Sequence, residues 1–118
     1  MFTQVGSAQI ALRDALDVCR DVGDERFTIT YLLIMFQARF NPGISQIDIS
    51  HRTGLSRSGI SVALGKLGAF GQTKDSIGPF LRVEPAPEDR RINRVHLTKE
   101  GERFLERIVQ PLLKKEKP

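Results

Sequence analysis

The chain has 118 residues, of which 40% are hydrophobic and 27% charged, so it can bury a core and is not a disordered chain. No apolar run approaches the roughly 20 residues that span a bilayer, residues 1–9 lack a signal-peptide pattern, and the single cysteine, Cys19, excludes an internal disulfide. We therefore expect one cytoplasmic domain over residues 1–118, with a net charge of +4 that weakly favours a polyanionic partner.

Two apolar segments predict the first two helices. In residues 7–21, apolar side chains recur at helical spacing, at Ile10, Leu12, Ala15, Leu16 and Cys19. The second helix is predicted to begin at Thr28, whose hydroxyl can cap it, and to end before Pro42. Because its residues are apolar nearly all round, we expect this helix to form the buried centre of the domain.

Residues 45–69 have the pattern helix, glycine turn, helix. A short helix is predicted to begin at Ser45 or a neighbouring residue and to end near Arg52. Gly54 follows where the chain must turn, because glycine takes a positive φ without steric cost. Ser56 is predicted to cap the next helix, which should run to about Ala69. This order of elements is the helix-turn-helix arrangement.

The helix that Ser56 caps has a small outer face. Its inner stripe is apolar, and its outer face carries Ser58, Ser61, Val62 and Gly65, flanked by Arg57 and Lys66. A small face lets a helix lie deep in the major groove of DNA, whereas bulky side chains would hold it away from the bases. Gly59 and Gly65 each lower helix propensity by about 1 kcal/mol relative to alanine. Either close helix packing or close approach to DNA would explain them.

A basic hairpin is predicted after a glycine-rich loop over residues 68–79. Its strands are expected at residues 80–83 and 92–97, joined by a polar loop over residues 84–91 that two prolines stiffen. This segment concentrates four arginines, Arg82, Arg90, Arg91 and Arg94. Thr98 should cap the last helix, which Pro111 should kink or interrupt. The basic residues Lys114, Lys115 and Lys117 are interpreted as a solvated end.

Three segments, residues 47–61, 87–91 and 95–101, form one combined pattern. The last two contain an Asp-x-Arg signature and a Leu-Thr-x-x-Gly sequence, formed by Asp89, Arg91, Leu97, Thr98 and Gly101. With the preceding helix-turn-helix, they resemble the MarR family of winged-helix regulators over about residues 44–109. The joint occurrence of these motifs is much more specific than a helix-turn-helix alone.

The resemblance implies a mostly helical α+β fold with a small antiparallel hairpin, the winged helix-turn-helix. It implies a homodimer formed by the terminal helices, with a recognition helix in the major groove of double-stranded DNA and a wing in the adjacent minor groove. It assigns Arg91 to the wing and Asp89 to the carboxylate that braces it, and it places Ser56, Arg57, Ser58, Ser61 and Val62 on the recognition helix. Two departures are an insertion at residues 71–78, whose role is open, and a short C-terminal region, which predicts a smaller or differently arranged dimer.

The chemistry of DNA binding assigns further roles. Phosphate contacts are predicted for Ser45, Arg52, Thr53, Arg57, Lys66 and Arg90. Arg57 can also contact guanine, Ser58 and Ser61 can bond several bases, and Val62 can meet a thymine methyl group. Arg91, with Arg90 and Arg94, suits a narrow minor groove. Arg91 could instead form only a surface ion pair with Asp89.

Other kinds of site are weakly supported. No set of residues predicts catalysis, so we do not expect an enzyme, and no cofactor is predicted. His51 and His96 lie far apart in the sequence, so no metal site is expected. Cys19 is interpreted as a buried apolar residue, with a peroxide-sensing thiol as the alternative. Tyr31 and Phe36 could line a pocket for a small-molecule effector, although aromatic residues on an apolar helix are more often core.

The leading hypothesis is a sequence-specific transcriptional repressor that acts as a homodimer. A replication-initiation or partition adaptor is the first alternative, and cooperative spreading on repeated sites would distinguish it. The second alternative is a winged helix that has lost DNA binding and docks proteins instead. The exposed apolar residue Val62 leaves that alternative open, whereas the arginine cluster of the hairpin argues against it.

Overall fold

The computed structural model describes residues 4–23 and 27–113, so the three C-terminal lysines lie outside the described residues. Within this part the elements are α1 Gln4–Gly23, α2 Ile29–Phe40, β1 Ile44–Ser45, α3 Gln46–Thr53, α4 Arg57–Lys66, β2 Leu81–Ala86, β3 Asp89–Leu97 and α5 Lys99–Leu113. The predicted class, mostly helical with a small antiparallel sheet, is confirmed. Of the helices described, none is both long enough and apolar enough to cross a membrane.

The hydrophobic core lies between the helices and one face of the sheet. Its most deeply buried large side chains come from α2, α3, α4, β2, β3 and the residue after α4, and are Ile34, Met35, Ile49, Ile60, Leu64, Leu67, Leu81 and Val95. Burial of each such side chain stabilises the fold by about 1.5–3 kcal/mol. The prediction that α2 is central is correct for one face only, because Ile29, Leu33 and Phe40 are exposed.

Side-chain caps begin α2 and α4 at the predicted residues, Thr28 and Ser56, and a third cap begins α3 at Ser45. The hydroxyls of Thr28, Ser45 and Ser56 each accept a hydrogen bond from the backbone N–H three residues later. This contact satisfies a donor that the first turn of a helix leaves unpaired. Gly54 ends α3 in the left-handed region, at φ 77°, as the predicted glycine turn requires.

The sheet has three antiparallel strands in the order β1-β3-β2. Strand β1 was not predicted, because it has only two residues and depends on pairing with Val95 and Arg94 far along the chain. The predicted hairpin loop at residues 84–91 is wrong, since β2 and β3 extend into it and leave only Pro87 and Glu88 between them. Pro85 is tolerated because β2 is an edge strand, where a missing N–H costs little.

Helix α4 ends at Lys66, three residues before the predicted end at Ala69. The N–H of Ala69 bonds to the carbonyl of Leu64 at 2.9 Å, and the N–H of Gly68 bonds to that of Gly65 at 3.1 Å. These bonds, with φ 84° at Gly68, form a glycine-dependent helix stop. Gly68 is also required for steric reasons, because a Cβ at this position would lie 2.6 Å from the carbonyl oxygen of Gly78 and clash with it.

Residues 71–78, which the resemblance predicts to be an insertion, are hydrogen-bonded at their C-terminal end to the end of α4. The N–H of Ile77 donates to the carbonyl of Lys66 at 2.7 Å, and the Ile77 side chain packs against the core. Just beyond it, the N–H groups of Phe80 and Leu81 both donate to the carbonyl of Leu67, at 2.9 and 3.0 Å. The end of α4 is therefore bonded directly to the start of the wing.

Helix α5 packs along α1 and begins after Thr98, whose hydroxyl accepts the N–H of Gly101 at 3.0 Å and donates to the carbonyl of Pro79. The predicted interruption at Pro111 is wrong, because α5 continues to Leu113. The proline removes the N–H that would bond to the carbonyl of Arg107, so the helix continues past Pro111 without that one hydrogen bond.

Candidate nucleic-acid interface

Hydroxyl groups fix the turn between α3 and α4. Ser50 donates to the carbonyl of Leu55 at 2.6 Å, and Thr53 donates to the carbonyl of Ile49 at 2.7 Å. The Thr53 oxygen also accepts the N–H of Leu55 at 3.2 Å. The hydroxyl hydrogen of Thr53 is therefore engaged, and a phosphate contact through it requires exchange of this bond.

The outer face of α4, formed by Ser58, Ser61, Val62 and Gly65, points away from the core. The opposite side buries Ile60, Ala63 and Leu64, as the sequence predicts. Ser56, Arg57, Ser58 and Ser61 are exposed, and Val62 is 59% exposed although it is apolar. Because the side chains of this face are short, the α4 backbone can come close to a flat or grooved partner.

The two glycines of α4 have little around them. A Cβ on Gly59 would meet only the hydroxyl of Ser56, at 3.1 Å, and a Cβ on Gly65 would meet only the ring of Phe70, at 3.9 Å. Close packing of helices therefore does not explain either glycine within the described residues. Phe70 is itself 54% exposed and lies against the end of the outer face. The sequence analysis did not single out Phe70.

The hairpin β2–β3, hereafter the wing, presents a braced arginine. Asp89 accepts two bonds from the guanidinium of Arg91, at 3.0 and 2.9 Å, and one from the Arg91 backbone N–H at 3.0 Å. These bonds hold the pKa of Asp89 below its ordinary value and raise the pKa of Arg91. The Arg91 side chain is nevertheless 89% exposed, so the ion pair orients the guanidinium without covering it.

The remaining wing arginines differ from Arg91. Arg90 is exposed near the tip. Arg94 instead folds back, donating to the carbonyl of Gly43 at 3.1 Å and pairing with Glu88. Sequence reasoning grouped these arginines, but the structure leaves Arg90 and Arg91 projecting and uses Arg94 to join the wing to the turn before β1.

Charged groups on β2 and β3 pair along the outer side of the wing. Glu84 accepts from Arg82 at 3.2 Å and lies 3.1 Å from Nε2 of His96. The hydrogen bond from Arg82, with the smaller effect of His96, lowers the pKa of Glu84. Arg82 is thereby paired, which leaves the projecting positive charge at the tip of the wing.

A chain of amide hydrogen bonds places the wing and α4 on one side of the molecule. Asn93 of β3 donates to Oε1 of Gln46, the first residue of α3, at 2.9 Å. Nε2 of Gln46 donates in turn to the hydroxyl of Ser61, at 3.3 Å. The outer face of α4 is therefore linked to Asn93 of the wing through Gln46 at the N-terminus of α3, the helix that Ser45 caps.

Cys19 is 7% exposed, and burial raises the pKa of its thiol. It lines a cavity of about 290 Å³ between α1 and the start of α2, together with Leu16, Arg20, Phe27, Thr28, Ile29 and Leu32. Tyr31 and Phe36 pack against the core and do not line this cavity. Across the described residues, no three His, Cys, Asp or Glu side chains are grouped so that they could hold a metal ion.

We expect Cys19 to behave as a buried thiol. Its modification by a thiol reagent in the native protein should be at least roughly tenfold slower than in denaturant, because the raised pKa and burial suppress the thiolate. Reaction rates measured by absorbance would check this. Rapid native modification, accompanied by loss of DNA binding on peroxide treatment, would instead support the sensing alternative.

These elements define the class of protein: a winged helix-turn-helix with the fold of MarR-type regulators. Residues 32–69 match the model of the family described as winged helix-turn-helix DNA-binding. No curated protein matches the chain. The predicted resemblance to the MarR family is confirmed at the level of the fold.

Similar solved structures cover most of the chain. The transcriptional regulator Tm0710 from Thermotoga maritima matches 87% of it with a TM-score of 0.70 and 22% identity. A MarR mutant from E. coli, solved with operator DNA, matches 91% with a TM-score of 0.64 and 14% identity. The PcaV transcriptional regulator from Streptomyces coelicolor matches 93% with a TM-score of 0.63 and 24% identity. The chain spans 65% of the length of Tm0710, 66% of MarR and 76% of PcaV.

Proposed function

We propose that the protein binds double-stranded DNA sequence-specifically as a homodimer and represses transcription in the cytoplasm. The observation that carries the proposal is the amide link from Asn93 through Gln46 to Ser61, because it sets the outer face of α4 and the braced wing side by side. A helix and an arginine-tipped hairpin in this relation fit a major groove and the neighbouring minor groove.

The charges of the interface support a polyphosphate partner. Arg52, Arg57, Arg90 and Arg91 are exposed around the outer face of α4 and the wing tip, and Lys66 is half-buried at the end of α4. Such cations release counterions when they meet phosphates, so binding should weaken steeply as salt rises. Arg57, at the start of α4, is the side chain that we propose for contact with guanine.

The apolar surfaces of the terminal helices support a dimer. Exposed apolar side chains lie on α1 and at the end of α5, at Val5, Ile10, Leu12, Leu16, Leu112 and Leu113. A second copy of the chain would remove this surface from water. Two copies would also present two α4 helices to one duplex, which predicts an operator with inverted half-sites about one helical turn apart.

Protein docking is the second candidate function. Val62, within α4, and Phe70, after its end, are exposed apolar side chains that a protein partner could cover. The braced and exposed Arg91 favours DNA, because a wing that docks on an apolar partner has no need of a projecting guanidinium.

Selection from random duplexes, followed by fluorescence anisotropy at two salt concentrations, tests the proposal. We expect an inverted repeat to be selected, and affinity for it to fall with salt while sedimentation shows two chains per duplex. Failure to bind duplexes of any sequence in dilute buffer would contradict DNA binding. Binding that spreads cooperatively over repeated sites would favour the adaptor alternative over a repressor.

Gly65→Ala should separate stability from DNA affinity. Alanine has the higher helix propensity, and its Cβ meets the Phe70 ring only at an ordinary distance of 3.9 Å, so the variant should be more stable by about 0.5–1 kcal/mol. The added methyl group on the outer face should weaken DNA binding. Urea unfolding and anisotropy measure the two effects. Unchanged affinity would mean that the α4 backbone does not approach DNA at this position.

A further inference from the structure

Ser61 occupies the middle of the outer face of α4 and is held by a polarised chain of hydrogen bonds. The amide Nδ2 of Asn93 donates to Oε1 of Gln46 at 2.9 Å, so the Gln46 oxygen faces β3. The other end of that carboxamide, Nε2, is thereby directed at the Ser61 hydroxyl oxygen, at 3.3 Å. Ser61 is exposed, whereas Asn93 and Gln46 are half-buried beneath it.

The direction of these hydrogen bonds determines whether the Ser61 hydroxyl donates to a partner or accepts from it. A serine hydroxyl has one hydrogen to donate and two lone pairs that accept. Because Gln46 has only N–H groups facing Ser61, one lone pair is occupied and the hydroxyl hydrogen is free to point outward. Its neighbour Ser58 is different, since its hydroxyl lies 3.4 Å from that of Ser56 and either oxygen can donate.

We infer that Gln46 and Asn93 act as positioning residues that make Ser61 a hydrogen-bond donor toward DNA. Ser61 then selects an acceptor on a base edge, which in the major groove is N7 or O6 of guanine, N7 of adenine or O4 of thymine. Gln46 leaves only one lone pair of the Ser61 oxygen for the amino groups of adenine and cytosine, so these groups are the weaker match. The inference rests on the proposed function, and it gives Ser61 a preference for acceptors on the base edges.

The test compares duplexes of the selected operator in which one base at a time is replaced by an analogue. Each analogue lacks either one major-groove acceptor or one amino group. Loss of one particular acceptor should weaken binding by the wild type roughly three- to tenfold, the value of one hydrogen bond. The same loss should have no further effect on Ser61→Ala, because that variant has already lost the bond. Ser58→Ala is the matched control, and it should still respond to removal of that acceptor.

Gln46→Glu should reverse the preference. A carboxylate accepts from both Asn93 and Ser61, so the Ser61 hydrogen turns inward and its free lone pair faces the DNA. At the base pair read by Ser61, the variant should lose its dependence on the acceptor and become dependent on an amino group. The added negative charge weakens binding to every site, and the double variant Gln46→Glu/Ser61→Ala measures that effect without the hydroxyl.

The outcomes separate the inference from the proposed function. A wild-type protein whose Ser61 couples to an amino group, or to no acceptor at any position, would overturn the inference while DNA binding stands. Retention of the acceptor preference by Gln46→Glu would also overturn it. Absence of binding to all duplexes would overturn the proposed function, and the inference with it. If Gln46 had only a structural role, the Gln46→Glu variant would have a lower free energy of unfolding and the same base preference as the wild type.

Discussion

Gly101→Ala is expected to destabilise the protein by about 3 kcal/mol, at the upper end for overpacking a core. Gly101 is buried in the first turn of α5, where the helix crosses the chain at Phe80. A Cβ there would overlap the carbonyl oxygen of Phe80 and lie 3.2 Å from its carbonyl carbon and 3.0 Å from Cδ2 of Leu97. The backbone atoms cannot yield, because the Phe80 carbonyl accepts the N–H of Thr98 at 3.0 Å.

Urea unfolding followed by circular dichroism measures this loss, which is a large fraction of the roughly 5–15 kcal/mol that stabilises a typical domain. Gly65→Ala is the matched control, since the same substitution in the open face of α4 should be stabilising. A Gly101→Ala variant as stable as the wild type would show that α5 does not cross Phe80 as closely as described.

Arg91→Ala is expected to lower affinity for the selected operator by roughly tenfold or more, because each wing of the proposed dimer would lose the charged contact proposed for Arg91. Its free energy of unfolding should hardly change, because the side chain is exposed and an exposed ion pair contributes little to stability. The dependence of log affinity on log salt should also become shallower. Anisotropy titrations at several salt concentrations measure both effects.

Two further variants distinguish charge from geometry at the wing. Arg91→Lys keeps the charge but cannot form the two parallel bonds of a guanidinium, and Asp89→Asn removes the carboxylate that orients it. We expect both to bind with intermediate affinity. Affinity of Arg91→Ala equal to that of the wild type at moderate salt would reduce Arg91 to a surface ion pair.

Local chemistry explains why much of the fold could be predicted from the sequence. The caps at Thr28, Ser45 and Ser56 bond to N–H groups only three residues away. Gly54 is required by the positive φ of its own backbone. Such features are encoded within a few residues, as is the division of α4 into buried and exposed faces. The Asp89–Arg91 pair is equally local, being two residues apart.

Contacts between distant segments explain what the sequence did not predict. Strand β1 exists because Ile44 pairs with Val95, and the fold-back of Arg94 depends on the carbonyl of Gly43. The role of Gln46 likewise depends on Asn93, 47 positions away. The hydrophobic periodicity of the sequence does not indicate which distant residues pair in this way. The residues of the proposed interface could be named from the sequence, but the orientation of their polar groups could not.

The bonds from Leu67 to Phe80 and Leu81, with the Ile77 bond to Lys66, have a mechanical consequence. Helix α4 is hydrogen-bonded to the start of the wing at its far end and, through Gln46, to Asn93 of β3 near its middle, so we expect the helix and the wing to move as one rigid unit. If two copies bind DNA as proposed above, a signal that weakens binding would have to change the spacing between the two subunits rather than the shape of either one.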